Sequence, residues 1–147
     1  MRKLLFVTAF SVLLPAAALA IGTEADTKEP WRDAYDAAVV LIKAGKYDEG
    51  IVKLKAIKAS SADIDNQLGF AYRKSGKWDE AVRHYEAALK VDPNHVGALE
   101  YYGEYFVWKG DLAKARDHLA KIEKACGSKS CAGYKELAAA IEKKKPN

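Results

Sequence analysis

Apolar residues recur at three- and four-residue steps through most of the chain. Trp78, Ala81, Val82, Tyr85, Ala88 and Leu89 share one helical face, and Ile64, Leu68, Ala71 and Tyr72 do the same in the segment before. Near the end, Tyr134, Leu137, Ala138 and Ile141 form an i, i+3, i+4, i+7 stripe, with Lys135, Glu136, Glu142 and Lys143 opposite. That stripe predicts an amphipathic helix over 132–145, its small alanines suited to dock on the aromatic segment Glu100–Trp108. The first twenty residues follow a different pattern. Arg2 and Lys3 precede an apolar run, Leu4 to Leu14, then Pro15 and the small-x-small triplet Ala18-Leu19-Ala20. This layout predicts a secretory signal peptide, residues 1–20, cleaved after Ala20. Leu4–Ala20 is 17 residues, at the short end of a membrane span, so a retained anchor is the weaker alternative. Residues 21–30 are polar and aperiodic, a flexible lead-in, and Pro30 beside Trp31 suits a first helical turn.

A short turn punctuates the periodic stretch three times, as Ala44-Gly45-Lys46-Tyr47, Ser75-Gly76-Lys77-Trp78 and Lys109-Gly110-Asp111-Leu112. The glycines are 31 and then 34 residues apart. Around Gly76, Leu68, Gly69 and Tyr72 precede the turn, and Ala81, Tyr85, Ala88 and Pro93 follow it. Tyr102, Gly103, Phe106, Ala115, Leu119 and Ile122 repeat the scheme 34 residues later, with Gly127 in place of the closing proline. In the first segment Ala38, Leu41, Leu54 and Ile57 fit, but Gly50 stands where alanine is expected. This order of large, small and aromatic residues resembles the tetratricopeptide repeat over about Trp31–Ala125. The resemblance implies an all-α fold, a right-handed superhelix of three helix-turn-helix repeats (about 31–60, 62–95 and 96–125). A disulfide loop, 126–131, and the capping helix, 132–145, would follow. Each helix pair leaves one apolar side bare, so neighbours must stack, and about three repeats are needed.

Cys126 and Cys131 are the only cysteines. An even count in an exported chain favours a disulfide, here across the turn where the consensus proline is missing. The alternative is a redox pair, which commonly has two intervening residues rather than four. Charge adds little. Lys and Arg number 24 against 20 acidic residues, and removal of Arg2 and Lys3 leaves 22, so nothing points to nucleic acid. His84 and His118 occupy equivalent repeat positions, His95 follows Pro93, and no convergent ligand set is visible, so neither metal nor cofactor is expected. Ser60, Ser61, Ser128 and Ser130 read as turn residues and potential helix caps. No nucleophile motif or phosphate-binding glycine loop is present, and the chain reads as a non-enzyme.

Repeats of this family usually bind a protein segment in the concave groove lined by the first helix of each repeat. Position by position, the resemblance assigns the groove Arg32, Tyr35, Val39 and Ile42; then Asp63, Asn66, Phe70 and Arg73; then Glu100, Glu104, Val107 and Trp108. Family members that clamp a terminal carboxylate use Lys, Asn and Arg where this chain has Tyr35, Val39, Gln67, Gly97 and Tyr101, so carboxylate-tail recognition is not expected. The function that follows is a periplasmic adaptor for a protein partner, without a membrane span once the signal is removed. The alternatives are a thiol-disulfide accessory protein using Cys126 and Cys131, or a structural subunit of an envelope complex.

Overall fold

The computed structural model describes residues 29–144. The expected signal segment and most of the lead-in lie outside the described residues, as does position 145 of the expected last helix. Seven α-helices follow one another, with no strand among the described residues: α1 (Arg32–Lys43), α2 (Tyr47–Ala56), α3 (Ala62–Lys74), α4 (Trp78–Val91), α5 (Val96–Lys109), α6 (Leu112–Cys126) and α7 (Ala132–Lys144). They pack as the pairs α1/α2, α3/α4 and α5/α6, each pair stacked on the next, and α7 lies against α5 and α6. The fold is all-α and of tetratricopeptide-repeat type.

The three turns are built alike. Gly45, Gly76 and Gly110 have φ of 78°, 75° and 83°, the left-handed region that glycine enters without strain. In each, the amide of the following residue (Lys46, Lys77, Asp111) donates at 2.9 Å to the carbonyl five residues back (Leu41, Tyr72, Phe106). That bond satisfies a carbonyl the helix end would otherwise leave orphaned. The short first repeat has a simple cause. α2 has 10 residues against 14 in α4, and its linker to α3 is one residue longer than that from α4 to α5. Gly50 is packed too: a Cβ there would lie 2.5 Å from the Ile42 side chain. Ile42 fills the space that alanine would have taken.

The core falls into two main clusters. Ala38, Ile42, Leu54, Ile64, Leu68 and Ala71 unite α1, α2 and α3. Leu99, Val107, Ala115, Ile122, Leu137 and Ile141 unite α5, α6 and α7. Between them, Ala88 and Ala98 are fully buried and let α4 and α5 approach closely. Tyr85, also fully buried, lies beside Tyr101 and Tyr102, with ring centroids 6.3 and 6.2 Å away.

Three local expectations are corrected. α1 starts at Arg32, and Pro30 sits in the preceding turn, where the Arg32 amide donates to the Glu29 carbonyl at 2.8 Å. Ser61 precedes α3 but its hydroxyl makes no capping bond. Ser128 and Ser130 bond to each other at 2.8 Å instead of capping a helix.

Candidate functional site

The helices α1, α3 and α5 stand side by side, and polar and aromatic side chains link them at repeat spacing. At one end, Arg32 of α1 meets Asp63 of α3 at 3.3 Å. The other Asp63 oxygen lies 3.1 Å from His95 Nε2. His95 Nδ1 accepts the Ala98 amide at 3.1 Å, so Nε2 carries the ring proton and donates to Asp63. His95 is thus the N-cap of α5 as well as a brace between repeats. Further along, Arg73 of α3 pairs with Glu104 of α5. Its guanidinium sits 5.5 Å from the Phe70 ring centre and 5.0 Å from that of Tyr101, and the two rings are 5.2 Å apart. Cations over aromatic faces in such geometry hold both groups in place. At the start of α1, the Arg32 guanidinium lies 4.4 Å over Trp31 and 5.5 Å from Tyr35. Burial raises the Tyr35 phenol above its ordinary pKa, with Asp63 adding to the effect.

Not every residue assigned to this surface lies on it. Ile42 and Val107 belong to the two cores, 3% and 8% exposed, because the helix faces that carry them turn toward the paired helix. Asn66 is 6% exposed and points at the start of α5, with Nδ2 2.9 Å from where a Gly97 Cβ would stand. Trp108 is 54% exposed, at the end of α5, and stacks on Trp78 with centroids 4.6 Å apart and planes within 4°. Arg32, Tyr35, Val39, Phe70, Arg73, Glu100 and Glu104 are partly exposed.

Electrostatically, the α5 part of this surface is the least settled. Burial, then Glu104 and Glu136, push the Glu100 carboxyl up to about 7, and Arg73 opposes them. Tyr85 Oη and Asn66 Oδ1, both buried, have no hydrogen-bond partner among the described residues. The sequence gives no hint of these, since nothing in a repeat signature says which tyrosine hydroxyl lacks a partner. The Arg73–Glu104 and Arg32–Asp63 pairs left a faint trace: each joins opposite charges 31 residues apart.

The remaining polar candidates stay local. His84 pairs with Asp65 at 2.8 Å and stacks on Tyr72, while His118 is buried with Nδ1 3.1 Å from the Leu99 carbonyl. Among the described residues, no group of three or more His, Cys, Asp or Glu side chains could hold a metal ion. No described helix is long and apolar enough to cross a membrane.

Cys126, the last residue of α6, pairs with Cys131, just ahead of α7, their Cα atoms 6.4 Å apart. Closing a six-residue loop contributes about 2 kcal/mol in the chain-entropy account. Replacing both cysteines by serine is expected to lower the melting temperature by several degrees while leaving the helical circular dichroism intact. Lost partner binding at an unchanged melting temperature would instead mark the thiols as functional.

The tetratricopeptide repeat family model matches residues 66–130. Two proteins named only as uncharacterized protein ycf37 resemble the chain. That of Guillardia theta is 27% identical over 107 residues, 67% of this chain and 60% of the relative. That of Pyropia yezoensis is 36% identical over 61 residues, 42% and 34% of the two lengths. The chain therefore spans 60% of one of these curated relatives and 34% of the other. Among solved structures, the Yersinia enterocolitica type III secretion translocator chaperone SycD superposes with a TM-score of 0.68 at 18% identity, over 78% of this chain and 82% of that one. The same chaperone in complex with a peptide of the translocator YopD gives 0.65 at 19% identity, over 80% and 91%. The C-terminal tetratricopeptide domain of a Plasmodium falciparum putative FK506-binding protein gives 0.56 at 19%, over 76% and 88%. At these identities the likeness is one of fold.

Proposed function

We propose that this chain is an adaptor that binds an extended segment of a partner protein along the surface of α1, α3 and α5, and that it does so in the bacterial periplasm after loss of residues 1–20. One observation carries the reading. Phe70 and Tyr101 stand partly exposed between helices, with Arg73 clamped over both rings by Glu104. Side chains fixed in advance lose little entropy when a ligand arrives, and aromatic and arginine residues are the usual centres of binding energy. A chaperone of like fold, SycD, is known in complex with a peptide of its translocator, which supports the mode of binding without naming a partner here. The basic start, apolar run and small-x-small triplet at the N-terminus support export.

The test is affinity capture from the native envelope fraction. Phe70→Ala and Trp108→Ala are each expected to weaken capture by about 1–3 kcal/mol. Arg83→Glu, on the opposite face of α4 and two-thirds exposed, should leave capture unchanged. The captured chain should begin at Ile21 by intact mass. The converse pattern, with Arg83→Glu abolishing capture and both truncations only lowering the melting temperature, would move the interface to the outer face.

A further inference from the structure

Where α5 and α7 meet, the Glu104 and Glu136 carboxylates both act on Glu100, and Arg73 opposes them. Arg73 is committed to Glu104. Glu100, one turn earlier on α5, has no ion pair among the described residues; its side chain lies against Gly133 at the start of α7, where a Cβ would stand 2.9 Å from its Oε2. Glu136 on α7 adds a third negative charge to the field at Glu100. Beneath this cluster, the fully buried Tyr85 of α4 keeps a hydroxyl without a partner. Arg73, Tyr101, Glu104 and Glu100 all act on it electrostatically. An excess of negative charge and a buried oxygen in want of a donor call for the same complement: a compact cation rich in N–H groups. The partly exposed Phe70 and Tyr101 beside it suit the apolar stem that carries such a cation.

Resting on the groove reading above, we propose that the stretch between α3, α5 and α7 is a specificity pocket for a lysine or arginine side chain of the partner segment, received by Glu100 with Glu136 and Glu104. This sets the partner's chemistry: an extended segment with one basic residue flanked by apolar ones. The groups facing Glu100 are Arg73 from α3, Tyr85 from α4, Tyr101 and Glu104 from α5 and Glu136 from α7. Only the ionised carboxylate attracts a cation, and Glu100 gains its proton as pH falls through about 7. Affinity should therefore weaken on acidification over that range.

Panning the immobilised full chain with a phage library of random peptides roughly twelve residues long tests the pocket. Enriched sequences should share a lysine or arginine between apolar residues. For the best of them, synthesised with a fluorescent label, norleucine in place of the basic residue should cost about tenfold in affinity. Glu100→Gln should cost a similar factor, and the two changes together little more than either alone, the mark of direct coupling. Wild-type affinity should fall several-fold between about pH 8 and about pH 6, and Glu100→Gln should flatten that dependence. Tyr85→Phe removes the orphaned hydroxyl; it should keep or raise the melting temperature yet lower affinity. Peptides that lose affinity with Phe70→Ala but ignore norleucine and Glu100→Gln would overturn the basic pocket and leave the groove standing. Peptides indifferent to Phe70→Ala, or a library that yields no binders, would overturn both.

Discussion

Gly69→Leu should be among the most destabilising single changes in the chain, by about 3 kcal/mol or more, because it overpacks a closed helix crossing. Gly69 is buried in the middle of α3, and a Cβ on it would stand 2.5 and 2.6 Å from two carbons of the Tyr85 ring. Carbon atoms in contact prefer about 3.5–4.0 Å, so even the first added atom requires movement. The ring has nowhere to go: it is fully buried, with Tyr101 and Tyr102 beside it. Leucine adds three more carbons to the same space. The helices α3 and α4 must separate, which opens the second repeat itself and disturbs the Tyr85 contacts with Tyr101 and Tyr102 of the third. Purified Gly69→Leu should melt about 10 °C or more below wild type by circular dichroism. Tyr85→Leu introduced with it should recover part of the loss, since the smaller side chain relieves the same clash. A single variant melting within about a degree or two of wild type would show that this crossing tolerates bulk, against the packing described above.

That crossing was legible because it depends on residue size at fixed spacing. Leu68, Gly69 and Tyr72 before the turn, with Ala81, Tyr85 and Ala88 after it, state which face of α3 meets α4 and how closely. The all-α repeat fold follows from such patterns, and so do the turns, where only glycine takes the left-handed conformation without strain. The first repeat was harder to read since its compensation lies elsewhere. Gly50 looks like a defect until Ile42, eight residues earlier, is seen to fill the gap.

The surface of α1, α3 and α5 was less legible, for a physical reason. Repeat position says which helix face a residue occupies, but exposure depends on the tilt of one repeat upon the next. Val107 and Trp108 are neighbours on α5, yet one is core and the other lies 54% exposed on Trp78. Asn66 occupies a groove position by register and is closed off by the start of α5. The His95 brace was missed since a histidine N-cap is uncommon, and its partner Asp63 is 32 residues away. Charges that meet only through superhelical stacking leave no local pattern.

Leu137→Ala should cost about 3–4 kcal/mol, nearly as much as the glycine change, by the opposite route of cavity formation. Leu137 is fully buried on α7, in one cluster with Leu99, Val107, Ile122 and Ile141. Its terminal carbons would lie 2.5 and 3.0 Å from a Cβ on Gly103, so it fills the hollow that glycine leaves in α5. In the preceding repeat the same hollow, at Gly69, is filled by Tyr85 from the partner helix α4. Here the plug comes from α7, which makes the third repeat dependent on the helix that follows it. A stacked repeat with a bare apolar side is unstable unless covered, so Leu137→Ala should loosen α5 and α6 before it disturbs α1 to α4. Hydrogen exchange should show this as lost protection in 96–126 with protection in 32–74 largely retained. Uniform loss across the whole chain would mean that the repeats unfold as one unit. Gly103→Ala in the Leu137→Ala background should recover part of the stability, because the added methyl then enters an emptied site.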